Sequence, residues 1–117
     1  MKKKKFSGSR GADLSVNRMV EEVVGCKWSL RVLQLARQGV SRPGSMRHAV
    51  PGLTAKVLSE RLRKLVRFGI LDRVVYPEVP PHVEYKLTPF GKQFTGILDA
   101  IEQLDRRWRS NAKPPKS

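Results

Sequence analysis

The chain of 117 residues is long enough to bury a hydrophobic core as one domain without disulfide bonds. It holds 24 lysine and arginine residues against 10 acidic residues, and the net charge of +14 favours a polyanionic partner, either nucleic acid or an anionic membrane surface. The single cysteine excludes an intramolecular disulfide, and no apolar run approaches the roughly 20 residues that a membrane-spanning helix needs.

The two ends of the chain lack the apolar residues that a folded segment requires. Residues 1–12 are rich in lysine, glycine and serine, and residues 110–117 read SNAKPPKS, so we expect both tails to be disordered. The positive start has no apolar segment behind it and is not a signal peptide. We therefore expect a cytoplasmic protein without membrane association, whose folded domain spans residues 13–109.

Three helices are predicted in the first half of this domain. Apolar residues at helical spacing indicate a helix that ends at Gly25, and a second one in WSLRVLQLARQG with Gly39 just past its end. Pro43 and Gly44 then break the chain, and a short third helix is expected after them. The VPG at residues 50–52 forces a turn, because a residue before proline disfavours the helical conformation.

The fourth helix, within LTAKVLSERLRKLVRFG, has the clearest signals. Thr54 is a good N-cap, and Leu53 can pack against Leu58 as a hydrophobic staple. Leucines at i, i+4 and i+7 define its core face: Leu58, Leu62 and Leu65. The opposite face is mostly basic: Lys56, Glu60, Arg63 and Arg67, flanked by Ala55 and Ser59.

Two interpretations of this basic face stay open. After a short helix and a tight turn, such a helix is typical of the second helix of a helix-turn-helix, whose basic side chains bond phosphates and guanine edges. An ordinary amphipathic helix with a solvated face has the same pattern. Glu60 could accept from cytosine, or it could pair with Lys56 or Lys64 on the same helix.

A hairpin and a long helix complete the chain. ILDRVVYP and HVEYKLT have strand patterns and are joined by EVPP, and Thr88 then caps a helix that has Pro89 at its first position and runs to about Arg109. A helix of about 20 residues is about 30 Å long, more than the rest of this domain can cover. Apolar residues at its distal end therefore need a second subunit: Ile101, Leu104 and Trp108.

Three stretches carry a family resemblance: GCKWSLRVL, VPGLTAKVLSERLRKL and YPEVPPHVEYKLTPFG. The chain resembles the HxlR-type transcriptional regulators, a MarR-like branch of the winged helices, over about residues 16–108. The resemblance implies an α+β, mainly α, winged helix-turn-helix with N- and C-terminal dimerisation helices. It also implies a homodimer that binds double-stranded DNA at a pseudo-palindromic operator.

The resemblance also implies the site residues. The recognition-helix surface corresponds to Thr54, Ala55, Lys56, Ser59, Glu60 and Arg63, and the wing surface to Arg73, His82 and Lys86. The dimer interface would be formed by the first and last helices, through Val16, Val20, Leu98, Ile101, Leu104 and Trp108.

The sequence departs from the family pattern at three places. Pro43 and Gly44 stand where the family's third helix begins, so that helix is expected to start later. His82 replaces the usual arginine after the two prolines and is a weaker phosphate partner when neutral. No cysteine precedes the first helix, so a redox switch there is not implied. Cys26, between Gly25 and Lys27, is interpreted as a small buried hydrophobe, with a reactive thiol as the less favoured alternative.

Other site chemistry is not indicated. The two histidines and one cysteine have no metal-ligand spacing, and neither a catalytic carboxylate pair nor a phosphate-binding glycine loop is evident, so we expect no enzyme and no cofactor. No polar cluster marks a small-molecule effector site. Two alternatives to a sequence-specific regulator remain: a non-specific nucleic-acid-binding protein, or a winged-helix module that docks another protein.

Overall fold

A computed structural model describes residues 14–111 and the backbone of residues 4–6. Five helices and three strands occur in this part of the chain. Their order is β1 (Lys4–Phe6), α1 (Val16–Val24), α2 (Lys27–Arg37), α3 (Pro43–Ala49), α4 (Ala55–Arg67), β2 (Leu71–Tyr76), β3 (His82–Leu87) and α5 (Pro89–Asn111). None of the described helices is both long enough and apolar enough to cross a membrane.

The sheet has three antiparallel strands in the order β1-β2-β3, rather than the two of a simple hairpin. The expectation that residues 1–12 are disordered is therefore wrong for Lys4–Phe6, which pair with the outer edge of β2. Three residues are too short to show the alternation by which a strand is recognised in a sequence. The rest of that tail lies outside the described residues.

The other end of the chain also differs from expectation. Helix α5 continues to Asn111, two residues into the segment that was expected to be disordered. Residues 112–117 lie outside the described part of the chain. The boundaries of the folded domain, 13–109, thus stay a prediction. At the C-terminal side, the helix extends two residues beyond the predicted boundary.

The two predicted N-caps have the expected geometry. The Thr54 hydroxyl accepts from the Val57 N–H at 3.2 Å, and the staple residues Leu53 and Leu58 are both buried. The Thr88 hydroxyl accepts from the Gly91 N–H at 2.7 Å and donates to the carbonyl of Gly69 at 2.6 Å. Thr88 thereby starts α5 and fixes it to the turn that follows α4.

Helix α3 begins earlier than expected. The break predicted at Pro43 and Gly44 is wrong, because Pro43 occupies the first helical position and Arg42 is the extended N-cap. Proline is favoured there, since its missing N–H has no partner in a first turn anyway. The helix ends at Ala49 with Val50 as its C-cap, and the turn to α4 uses Gly52 at a φ of 90°, a conformation that favours glycine.

The core lies where α2, α4, the proximal half of α5 and one face of the sheet meet. Its fully buried members come from all of these elements, and Trp28 packs against it from the side. The loop before α3 covers the far edge of β3, because the Tyr85 N–H donates to the Ser41 carbonyl at 2.8 Å. The wing is thus held to the helical body at its base.

Candidate nucleic-acid interface

Helix α4 presents two chemically distinct sides. Leu58, Leu62 and Leu65 are buried, as predicted from their spacing. Every residue predicted for the recognition surface is exposed: Thr54, Ala55, Lys56, Ser59, Glu60 and Arg63. Arg67, one turn further along the helix, is exposed as well. The side chains that could contact a duplex therefore share one solvent-facing surface with the N-terminus of the helix at one end, where its partial positive charge favours anions.

One charged residue of α4, Lys64, is used within the fold. Lys64 does not pair with Glu60, because its Nζ lies 2.9 Å from Oε1 of Glu22 on α1. Arg18 also binds Glu22, at 2.8 Å between Nε and Oε2. The hydrogen bonds from Arg18 and Lys64 lower the pKa of Glu22 from 4.5 to about 2. The ion pair fixes α4 to α1 and leaves Glu60 on the outer surface.

Cys26 lies next to α4 and differs from the small buried hydrophobe that was expected. It is half-buried and forms the N-cap of α2. Burial raises the pKa of its thiol, but contacts with Ser29, the backbone N–H of Trp28 and the charge of Arg61 outweigh that effect and lower the pKa overall. Ser29 and Trp28 are close neighbours of Cys26 in the chain, and only Arg61 is brought to it by the fold.

In the wing, the structure gives the three predicted contact residues different surroundings. Arg73 on β2 is exposed. His82 stacks on Tyr76 with ring centroids 4.6 Å apart, and its Nδ1 and Nε2 atoms lie 3.1 Å from Glu78 Oε1 and 3.2 Å from Glu84 Oε2. His82 therefore holds the two strands together at the base of the tip and is not a free side chain.

Lys86 is partly engaged. Its Nζ donates to the Tyr76 hydroxyl at 3.1 Å and lies 3.3 Å from Glu84 Oε1, and both groups raise its pKa. Burial raises the pKa of Glu84, but hydrogen bonds from Lys86 and His82 outweigh it, so the carboxylate stays charged. The Lys86 side chain is still 52% exposed, so a phosphate could be reached from this position.

The tip of the wing is apolar and stiff. Val79 is 99% exposed and is followed by Pro80 and Pro81, with a cis peptide bond between Val79 and Pro80. Proline restricts the backbone, so a tip of this composition loses little conformational entropy when it docks. An apolar side chain at this place can contact sugars or base edges but gives no attraction to phosphate.

The predicted dimer residues divide into two groups. Leu104 and Trp108 are each 63% exposed, and Ile101 and Val16 are also exposed. Leu98 is only 8% exposed and belongs to the core of the single chain, where Val20 also packs in part. From Ile101 onwards all described residues of α5 are exposed, so the distal half of this helix projects beyond the body.

A groove of about 240 Å³ lies beside this helix, between α1, α2 and α5. Apolar Val24 and Leu30 line it together with polar residues of two helices, Gln34 and Arg37 of α2 and Glu102 and Asp105 of α5. No local pattern in the sequence indicates this groove, because its polar residues on α2 and α5 are nearly 70 positions apart in the chain. Arg37 also forms an ion pair with Asp99, which joins α2 to α5 next to the groove.

Metal chemistry finds no support in the geometry. Within the described residues, no group of three or more histidine, cysteine or acidic side chains could hold a metal ion. The surface of α4, the wing beside it and the projecting α5 are thus the features from which a function can be inferred.

A family model for HxlR-like helix-turn-helix proteins matches residues 23–113. The chain belongs to this HxlR-like family. An uncharacterized HTH-type transcriptional regulator of Synechocystis, sll1512, is 42% identical over 89 residues, which are 76% of this chain and 66% of the relative. Another of these regulators, YtcD of Bacillus subtilis, is 38% identical over 101 residues, 86% of this chain and 75% of the relative.

A solved structure extends the comparison to the fold. A transcriptional regulator described as of the MarR family from Enterococcus faecalis superimposes with a TM-score of 0.74 at 27% identity, over 87% of this chain and 96% of that one. The predicted α+β, mainly α, winged helix-turn-helix class is confirmed for this HxlR-like chain. The relatives are named as regulators rather than enzymes, which agrees with the expectation that the chain is not an enzyme.

Proposed function

We propose that this protein is a transcriptional regulator that binds a pseudo-palindromic DNA operator as a homodimer in the cytoplasm. One observation carries the proposal. The exposed face of α4 combines Lys56, Arg63 and Arg67 with the small polar Ser59, while the opposite face is fixed in the core by leucines. In a helix-turn-helix protein such a helix enters the major groove.

The residues of this face suit base and phosphate contacts. Arg63 and Lys56 can bond the O6 and N7 atoms of guanine, and Ser59 can donate to or accept from any base. Glu60 has no ion pair within the described part of the chain and is free to accept from the amino group of cytosine. Thr54 and Ala55 lie at the N-terminus of the helix, where a phosphate is also favoured.

The wing contributes differently from what the family resemblance implied. Arg73 is the exposed cation of β2 and is assigned to the phosphate backbone. Lys86 can add a second contact, weakened by its pairing with Glu84. His82 keeps an indirect role, because its contacts with Tyr76, Glu78 and Glu84 fix the shape of the tip.

The homodimer rests on the apolar surface of α5. Ile101, Leu104 and Trp108 form a stripe that one subunit leaves exposed, and a second copy of the same stripe is its natural cover. Leu98 belongs to the core of the single chain and Val20 packs against that core, so we assign neither to the contact itself. A symmetric dimer places two recognition helices about 34 Å apart, one turn of B-DNA, which predicts a two-fold related operator.

The test is selection of bound sequences from random duplex DNA, followed by equilibrium titration of the selected site and an unrelated duplex across a range of salt concentrations. We expect an enriched site with two related halves and a clear preference for it at every salt concentration. Equal binding to both duplexes would favour a non-specific nucleic-acid-binding protein. No duplex binding at low salt would favour a protein-docking module.

A further inference from the structure

Strand β1 extends the wing on its outer side. Its residues pair antiparallel with β2 in the register Lys4 with Val75, Lys5 with Val74 and Phe6 with Arg73. The sheet order places β2 in the middle, so β1 is an outer strand of the sheet that forms the wing. Two consecutive lysines are thereby placed beside the half of β2 that leads to the tip.

The hairpin alone has the wrong charge for a phosphate-binding element. From Leu71 to Leu87 it holds two basic residues, Arg73 and Lys86, and three acidic residues, Asp72, Glu78 and Glu84. With a neutral histidine, two positive and three negative charges leave a net charge of −1. A surface of that sign repels the DNA backbone instead of attracting it.

Glu84 weakens the attraction further, because it lies at the centre of the local cations. Its carboxylate oxygens are 3.3 Å from Lys86 Nζ, 3.2 Å from His82 Nε2 and 3.8 Å from Arg42 Nε. The charges of Lys86 and Arg42 are thereby partly neutralised before any DNA approaches. Phosphate attraction at the wing beyond that of Arg73 therefore has to come from residues outside the hairpin.

We propose that β1 supplies it, and that Lys4 and Lys5 bind the phosphate backbone of duplex DNA as part of a three-stranded wing. Adding these two charges to the hairpin changes its net charge from −1 to +1. The contact is independent of base sequence and releases counterions. This inference rests on the proposed function, since the duplex is the one held by α4.

The simpler alternative is that the lysines protect an exposed sheet edge from pairing with other chains, a common use of lysine on edge strands. The two roles differ in their effect on salt dependence. The double variant Lys4→Gln/Lys5→Gln is compared with Lys113→Gln/Lys116→Gln, which removes the same charge at the other end of the chain. Both are titrated on the selected site and on an unrelated duplex.

We expect the slope of log affinity against log salt to become shallower by about 0.9 for each phosphate that a lysine no longer neutralises, so by about 1.8 for the β1 variant. The affinity for both duplexes should fall by the same factor, and the C-terminal variant should match the parent. An unchanged slope in the β1 variant overturns the inference in favour of edge protection. If the salt slope changes equally in the β1 variant and the C-terminal variant, the inference is overturned, because the effect then comes from the net charge of the protein and not from β1.

A second pair of variants asks whether pairing in the sheet is required. Lys5→Gln and Lys5→Pro remove the same charge, but proline also removes the N–H and fixes φ near −65°, which opposes strand pairing. We expect Lys5→Pro to reduce the affinity more than Lys5→Gln does. Equal reductions would mean that the lysines act from a freely moving tail, and the inference would be wrong.

The outcomes separate this inference from the proposed function. If the parent protein prefers its selected site while the β1 variants keep its salt slope, only the role of β1 fails. If the parent protein binds no duplex at low salt, the proposed function fails and the role of β1 with it.

Discussion

Lys64 of α4 and Glu22 of α1 form an ion pair of 2.9 Å between Nζ and Oε1. The helix that carries the candidate DNA-binding face is thereby fixed to the first helix, which lies beside the expected dimer contact. Arg18 completes the arrangement from α1 itself, so a single carboxylate holds two cations.

This ion pair predicts a pH-dependent contribution to stability. The pKa of Glu22 falls from 4.5 to about 2 on folding, so its contribution is fully present above pH 4.5 and is lost as the pH falls towards 2. Because the side chain is partly exposed, we expect Glu22→Gln to cost about 1 kcal/mol or less at pH 7. Urea unfolding at pH 7 and pH 2 measures both effects, with Glu21→Gln on the same helix as the control. Equal destabilisation by the two variants would contradict the prediction.

The recognition surface predicts a loss of specificity on truncation. Arg63→Ala should lower the affinity for the selected operator by about 1–3 kcal/mol and relax the base preference at one position, if the guanidinium contacts a base. The matched control is Arg106→Ala, which removes one exposed charge from the distal part of α5. Fluorescence anisotropy on the operator and on an unrelated duplex gives both values. Unchanged operator binding would remove Arg63 from the site.

The wing predicts opposite outcomes for two of its residues. Arg73→Ala removes an exposed cation and should make the salt slope shallower by about 0.9. His82→Ala removes contacts within the wing, so it should weaken binding without changing that slope. Titration of the operator at several salt concentrations compares them. If His82→Ala also makes the salt slope shallower, His82 contacts the DNA directly and the prediction is wrong.

The exposed stripe of α5 predicts the oligomeric state. The parent should sediment at about twice its 13.3 kDa at micromolar concentration, and Leu104→Glu should shift it to the monomer because a charge cannot be buried there without a partner. The fold should survive, since Leu104 is largely exposed in one subunit. Arg106→Ala again serves as the control. A parent protein that sediments only as a 13.3 kDa species would rule out the dimer.

Two glycines of α5 predict opposite changes in stability. A Cβ at Gly91 would meet the Ile70 carbonyl oxygen at an impossible 2.1 Å, so Gly91→Ala should destabilise by about 1–3 kcal/mol or more. At Gly96 a Cβ would meet no atom within 4 Å among the residues described, and Gly96→Ala should stabilise the helix by about 0.5–1 kcal/mol. Thermal unfolding measures both. Similar melting temperatures would contradict the close approach of α5 to the Ile70 carbonyl, which precedes β2.

Local patterns predicted the parts of this fold that depend on local forces. Thr54 and Leu58 predict the start of α4, because capping and staple packing involve residues only a few positions apart. The helical spacing of its buried leucines also predicts the exposed basic face on the other side. Pro43 shows the limit of such signals, since proline both interrupts helices and starts them, and only the neighbouring chain decides between the two.

Contacts between distant segments were beyond the reach of the sequence. The histidine at the wing looked like a contact residue; its partners Tyr76, Glu78 and Glu84 lie within six positions of it, but the pairing of β2 with β3 and the turn between them bring them together. Leu98 lies on the apolar stripe of α5, as its spacing predicted. Periodicity shows which face of a helix is buried, but not whether the same chain or a second subunit buries it. Strand β1 pairs with an edge of β2 that lies about 70 residues away in the chain.

The Thr88 hydroxyl bonds the Gly69 carbonyl after α4 and the Gly91 N–H of α5, while Thr88 itself ends the wing. The Thr88 side chain therefore connects α4, the wing and α5 at a single joint. In a dimer formed through α5, any tilt of that helix would be transmitted to both DNA-facing elements at once. The distance between operator half-sites that such a dimer accepts would then depend on how stiff this single joint is.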